Sequence, residues 1–343
     1  MMTDVQIKVE EVAHCLFCQK PGTQLYAGLR DGLFGAPGTW GFLQCPECRL
    51  VWLNPRPVPE DVGKVYTTYY THSDGDRRSR LALLKKKIYL ALFAALPGYH
   101  ALAPAMRWRH FGRVLSLFPP LREVARLRTM CLDGTKKGRL LDVGCGNGTF
   151  LAMMRDAGWE VQGVETDPVA GRFARERFGV PVITGTLAEA RLADQSFDAV
   201  TLSHVIEHVY DPGELLEECR RVLKPGGRLA VVTPNVESYG HRIFKDAWRG
   251  LEPPRHLRVF SPGALKAYVE KFGFRQVLLH TSARLTRAIY CASRLIRANA
   301  TVSYETIGWK LWIEGLLFHA VEELACLFLK NVGEEILLVA TKP

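Results

Sequence analysis

The stretch that most constrains this chain is Leu140-Leu141-Asp142-Val143-Gly144-Cys145-Gly146-Asn147-Gly148-Thr149-Phe150-Leu151. Its front reads as a buried strand, its spaced glycines as a sharp turn and its end as a helix start. Glycine lets the backbone turn and lie against a ligand that a Cβ would push away. A second strand, Val161 to Glu165, ends in an acid 23 residues after Asp142, where a carboxylate can accept both hydroxyl protons of a ribose. The alternation continues with Phe197 to His204 as a strand, Pro212 to Leu223 as a helix, Pro225-Gly226-Gly227 as a turn and Arg228 to Thr233 as a strand. Such alternation implies an α/β fold whose parallel sheet is covered on both faces and binds ligands at the carboxyl ends of its strands. Gly144, Glu165 and Ser203 all fall at those ends. A nicotinamide dehydrogenase would carry G-x-G-x-x-G, and the third glycine, Gly148, stands at the wrong spacing.

Four cysteines mark a second module. Cys15-x2-Cys18 and Cys45-x2-Cys48, with 26 residues between the pairs, have the spacing of two knuckles that offer tetrahedral zinc four soft ligands. The alternative is two pairs of buried or redox thiols. Cys131, Cys145, Cys219, Cys291 and Cys326 have no ligand spacing, and nine cysteines in a chain of 343 residues do not suit a disulfide scaffold. A hydrophobic share of 48% and a charged share of 23% exclude wholesale disorder and a multi-span membrane protein. The start has no basic and apolar leader, so a cytoplasmic location is expected, with peripheral contact at the inner membrane face as an extension.

The net charge of +10 divides into −2 for residues 1–74, +12 for 75–139 and 0 for 140–343. Basicity confined to one segment points to a local anionic contact and away from nucleic-acid coating. Within it, Arg77, Arg78, Arg80 and Lys85-Lys86-Lys87 precede an uncharged run from Ile88 to Met106, broken by Pro97-Gly98 and Pro104. A straight membrane span is not expected; a segment touching an anionic membrane through residues 77–113, a lid over the substrate, or a plain helical cap all fit. Near the end, Ile307 to Leu329 places Trp309, Trp312, Ile313, Leu316 and Leu317 at helical spacing, which reads as core, and Glu334 to Thr341 reads as a final strand.

Across residues 138 to 278 the sequence resembles class I S-adenosylmethionine-dependent methyltransferases, through Leu-Asp142-Val-Gly144-Cys-Gly146-Asn-Gly148, Gly163-Val-Glu165, Ser196-Phe197-Asp198, Ser203-His204-Val-Ile-Glu207-His208-Val and Leu223-Lys-Pro225-Gly226-Gly227. The cysteine leader and Pro253-Pro254-Arg255-His256-Leu257-Arg258-Val259-Phe260-Ser261 are similar to a subgroup that modifies sugars and glycan-linked acceptors. The resemblance implies a Rossmann-like doubly wound sheet with a small zinc-ribbon-like module and a helical basic insert. The expected segments are a zinc module and linker at 1–74, the insert at 75–137, the cofactor domain at 138–280 and C-terminal helices with a strand at 281–343. It further implies S-adenosylmethionine at Asp142, Gly144, Cys145, Gly146, Gly148, Glu165, Leu187 and Ser203, with structural Zn2+ at Cys15, Cys18, Cys45 and Cys48. Thr184-Gly185-Thr186-Leu187 stands where relatives place an acid near the adenine, so backbone groups are expected to read that ring.

Methyl transfer to a hydroxyl or carbon acid needs a proton removed, for which histidine is best suited near neutral pH. The candidates are His256, the first choice, then His204 and His208; each has a plainer role as a loop anchor or cleft residue. Tyr66, Tyr70 and Tyr239 are candidates to line the acceptor pocket. The expected function is methylation of a sugar in a nucleotide-sugar or lipid-linked glycan. The alternatives are methylation of a quinone-like or other apolar small molecule, or a non-catalytic adaptor at a membrane surface.

Overall fold

The computed structural model describes residues 6–66, 80–102, 106–300, 302 and 307–343. Tyr70, Arg77, Arg78 and Pro104 lie outside these. The front of the chain forms β1 (Val9–Glu10), β2 (Thr23–Leu29), β3 (Trp40–Gln44), β4 (Val51–Leu53) and β5 (Arg56–Pro57), and the insert forms α1 (Arg80–Ala94), α2 (Met106–Leu115) and α3 (Pro119–Arg128). Then follow β6 (Arg139–Val143), α4 (Thr149–Asp156), β7 (Glu160–Glu165), α5 (Pro168–Phe178), β8 (Val182–Thr184), β9 (Phe197–Ser203), α6 (Pro212–Val222), β10 (Leu223–Pro234) and α7 (Tyr239–Phe244). The chain ends with β11 (Arg258–Val259), α8 (Pro262–Lys271), β12 (Arg275–Ser282), α9 (Thr286–Arg297), α10 (Trp309–Phe328) and β13 (Glu335–Thr341).

The seven-stranded sheet has the order β12-β13-β10-β9-β6-β7-β8. Its strands from β10 to β8 are parallel, while β13 runs antiparallel between β10 and β12. Successive residues of a strand point to opposite faces. Accordingly Leu141, Val200, Leu229, Val231 and Leu338 fill one hydrophobic layer, and Leu140, Ala199, Ala230, Val232 and Leu337 fill the other. This is the Rossmann-like doubly wound fold expected of a class I methyltransferase. The turn expected at Pro225-Gly226-Gly227 is a bulge inside β10, where the register against β9 shifts.

The cysteine-bearing front is not an independent bead. In its four-stranded sheet, β11-β4-β3-β2, the edge strand β11 comes from more than 200 residues downstream and pairs with β4 through Arg258 and Trp52. Cys15, Leu43, Leu50 and Trp52 share the layer that holds Leu141 and Leu265, and Phe17 stacks on Tyr268 of α8 at 3.9 Å between centroids.

In the insert, α1 ends before Pro97-Gly98, and α2 returns against it so closely that a Cβ on Gly112 would meet the Ala91 carbonyl oxygen at 1.9 Å. Among the described residues no helix is long and apolar enough to cross a membrane. The core expected at Ile307–Leu329 is corrected. The helix forms, and Phe318 packs inward, but most of its large apolar residues face outward: Trp309 is 70% exposed, Leu317 65% and Phe328 83%. Periodicity shows that one face is apolar, not what covers it.

Candidate active site

The glycine turn, β7 and β9 converge at the carboxyl ends of the parallel strands. Gly144 has φ +69 and Gly148 φ +76, left-handed values that residues with a Cβ rarely adopt, and Cβ atoms there would strike Val205 and Ala174. Gly146 has open space where a Cβ would stand, and its amide donates to Glu165 Oε2 at 2.7 Å. The Asp167 amide donates to Oε1 at 2.9 Å, so two backbone amides fix the Glu165 carboxylate at the tip of β7 beside the glycine loop. Asp142 is buried under the loop and accepts from Thr201 Oγ1 at 2.6 Å. Burial outweighs that hydrogen bond and, with the nearby Glu165 charge, pushes Asp142 up to about 7.

Three more of the expected cofactor residues lie around this loop or at the strand ends. Ser203 is exposed at the end of β9. The Cys145 side chain turns into the core against Gly163, so only its backbone borders the loop. Leu187 is buried against the sheet, and the neighbouring Thr186 amide is already taken by Glu189 Oε2 at 2.7 Å, in a cap that Glu189 N and Thr186 Oγ1 close at 3.2 Å. That amide is therefore not free to read an adenine.

The three candidate histidines sit in different electrostatic settings. His204, at φ +55, is a clamp: Nδ1 lies 3.1 Å from Glu207 Oε1 and Nε2 lies 2.9 Å from Glu335 Oε1. Burial alone would lower its pKa, but the two carboxylates override that and hold it up to about 9, while Glu207 and Glu335 are held down at about 2. An imidazolium with both nitrogens donating has no lone pair for an incoming proton, so His204 is not placed to act as a base. Thr233 Oγ1 donates to Glu207 Oε2 at 3.0 Å, and Arg284 grips Glu335 at 2.8 and 3.1 Å.

His256, the first choice as base, is only 2% exposed; Nδ1 donates to the Gly250 carbonyl at 2.8 Å, and burial pulls its pKa down to about 4. It supports His208, whose ring it meets edge-on at 4.8 Å. His208 is half-buried, with Nδ1 3.0 Å from the Arg255 carbonyl and 3.1 Å from Tyr66 Oη. Donor atoms of Glu207, His208 and His256 lie within 4.8 Å of one another, although both Glu207 oxygens already accept from His204 and Thr233. Of the candidate pocket tyrosines, Tyr66 reaches this cluster, whereas Tyr239 packs on Phe318 at 5.5 Å.

The Pro253–Ser261 stretch serves packing. Arg255 is buried with a bidentate grip on Asp31 at 2.8 and 2.9 Å, a bond to Glu252 at 3.1 Å and a stack on Phe34. It ties the front module to the loop that carries His256. Sequence reasoning missed Asp31, Glu252, Arg284 and Glu335, which have no local motif to mark them. The sulfurs of Cys15, Cys18, Cys45 and Cys48 lie within 4.8 Å of one another, with Cys15 and Cys48 at 3.6 Å. Zinc–sulfur bonds of about 2.3 Å in a tetrahedron put sulfurs roughly 3.8 Å apart, so the donor set fits that ion. A cavity of about 670 Å3 lies at the opposite ends of the strands, between α3 and β12, lined by Glu123, Arg126, Trp159, Arg228 and His280, away from the glycine loop.

The family described as "Methyltransferase domain" matches residues 108–279. The chain belongs to that family. A ubiquinone biosynthesis O-methyltransferase of Alkalilimnicola ehrlichii is 36% identical over 34% of this chain and 51% of the relative. A probable S-adenosylmethionine-dependent methyltransferase of Mycolicibacterium smegmatis is 35% identical over 39% of this chain and 51% of the relative. The chain thus spans about half the length of the curated relatives it matches. Among solved structures, a SAM-dependent methyltransferase from Archaeoglobus fulgidus aligns with 26% identity over 64% of this chain and 92% of that one, at a TM-score of 0.44. Within this methyltransferase family, a carboxylate fixed beside a glycine loop is suited to the ribose of S-adenosylmethionine.

Proposed function

We propose that the protein is an S-adenosylmethionine-dependent methyltransferase acting on a hydroxyl of a small acceptor, with a quinone-like or phenolic acceptor favoured over a sugar. The observation that carries the reaction class is the Glu165 carboxylate, fixed by two backbone amides against the glycine turn of a methyltransferase-family chain. The acceptor preference rests on relatives named for ubiquinone O-methylation. The sugar reading rests on the cysteine leader, and its other support weakens because Arg255 and His256 have packing partners.

S-adenosylmethionine, when bound, supplies an electrophilic methyl carbon for in-line attack. The remaining work falls to this chain's own side chains. Glu165 accepts the ribose hydroxyls, and the loop of Gly144, Gly146 and Gly148 lets the backbone approach. We assign the acceptor's proton to His208, whose ring is positioned by the Arg255 carbonyl, Tyr66 and His256. The four cysteines are assigned structural zinc, with no part in the chemistry.

Calorimetry with S-adenosylhomocysteine on the intact chain tests the cofactor, followed by methyl-transfer assays with hydroxylated quinones against nucleotide-sugars. His208→Asn is expected to lower kcat by about 10²-fold to 10⁴-fold, the usual worth of a general base, with S-adenosylhomocysteine affinity unchanged. An unaltered kcat removes the base assignment. No binding by folded protein turns the reading to a non-catalytic adaptor.

A further inference from the structure

We propose that α10, with the adjoining face of α9, is a docking surface for an anionic lipid bilayer, along which the helix lies without crossing. The proposal goes beyond the methyl-transfer reading and depends on neither the acceptor nor the base. Twenty residues of α helix extend about 30 Å. Trp309, Ile313, Leu317, Val321, Leu324 and Phe328 recur along one exposed side of α10 over that whole length. A contiguous apolar strip of this size on a folded chain marks an interaction surface.

The charges around the strip select the occupant. The acids of α10 are partly withdrawn: Glu322 is buried, Glu314 accepts from Tyr290 at 3.2 Å and lies 3.8 Å from Arg294, and Glu323 is half-buried 3.7 Å from His319. Burial, together with the charge of Glu334, pushes Glu322 up to about 9 and so keeps it neutral. α9 carries three arginines and no acid: Arg294 is shared with Glu314, Arg297 donates to the Ile243 carbonyl at 2.7 Å and lies over the Phe244 ring, and Arg287 stands beside the strip. The Arg287 guanidinium lies 5.1 Å from the Trp312 ring and the Lys310 ammonium 5.7 Å from that of Trp309. Tryptophan beside cations at the margin of an apolar face suits the headgroup level of a bilayer, where basic side chains meet anionic lipid. A second copy docked on the same face by a two-fold axis would instead repeat Arg287 and Lys310 across the contact and supply no anion for them. Phe111, Val114, Leu117 and Phe118, in and just after the basic helix α2, are also exposed, and of these Phe111 falls within the 77–113 contact expected from sequence.

The experiment uses the full chain and phosphatidylcholine vesicles with and without phosphatidylglycerol. Co-sedimentation is expected with the anionic vesicles, weakened by salt but not abolished, because the apolar contribution is not screened. Leu317→Glu/Leu324→Glu should lower partitioning at least about tenfold at an unchanged thermal midpoint, since both positions are exposed. If the midpoint falls, the unaltered protein still decides: its tryptophan emission should shift to the blue on anionic vesicles, and Trp309→Phe/Trp312→Phe should remove that shift. Equal sedimentation of the double-Glu variant overturns the proposal. So does loss of binding through Lys85, Lys86 and Lys87→Glu alone, which would leave the insert as the whole contact. Self-association that the double-Glu variant abolishes, with no vesicle binding, assigns the face to a second copy and also overturns it.

Discussion

His204 holds two buried carboxylates at once, which makes the stability of the site depend on pH in a defined way. Its imidazole is raised from 6.5 to about 9, so its contribution is complete below the ordinary imidazole range and is lost as pH rises through about 9. Glu207 and Glu335 are lowered from 4.5 to about 2, so their contributions are present above the ordinary carboxylate range and are lost as pH falls through about 2. Thermal unfolding should therefore be steady between the ordinary carboxylate and imidazole ranges, decline from about pH 6.5 to about pH 9 and level off above that. His204→Gln should lose the alkaline decline and cost on the order of 3 kcal/mol at neutral pH by leaving buried carboxylates undercompensated. A variant as stable as the parent, with the same alkaline limb, would remove the clamp from this account. Little of this was legible beforehand. The sequence marks His204 by its position after a strand, but Glu335 is 131 residues away, and an ion pair over that distance leaves no periodic trace.

At the scale of elements, the legible parts were those whose determinants are local. The β6–turn–α4 unit, β7 and its terminal acid lie within about 25 residues, and each is dictated by glycine conformation, apolar runs and an acid at a strand end. The two cysteine knuckles are local as well. What was not legible is what each element packs on: β4 finds its edge partner in β11, and α10 turns its apolar side outward. The knuckles bracket β2 and β3, so a metal held there fixes the sheet that receives β11. Burial, with the neighbouring thiols adding to it, pushes Cys18 up to about 11, and a divalent cation would relieve that crowding. Metal analysis is expected to give about one zinc per chain. Chelation should lower the unfolding midpoint and raise the hydrogen exchange of β4 and β11 together; exchange confined to β2 and β3 would show that the metal stabilises only its own hairpin.

For the molecule as a whole, the front module shares its core with the methyltransferase-family domain. Deleting residues 1–66 would strip Leu43, Leu50 and Trp52 from a shared core, remove Phe17 from Tyr268 and leave the Arg255 guanidinium buried without Asp31. Losing one partner of a buried pair costs about 3 to 5 kcal/mol and each large core side chain about 2 to 5, against total stabilities of about 5 to 15. The fragment 67–343 should therefore fail to give a monodisperse peak or a cooperative unfolding transition. A well-behaved fragment would show that the interface is dispensable.

The pairing of Arg255 with Asp31 also sets a timetable. Their separation of 224 residues means that, at about 5 to 20 residues per second, the ribosome delivers the arginine roughly 10 to 45 s after the aspartate. Throughout that interval β4 presents an open edge and Asp31 awaits its cation. The cysteine-bearing module, although translated ahead of the glycine-loop domain, is therefore completed only after most of that domain has been made.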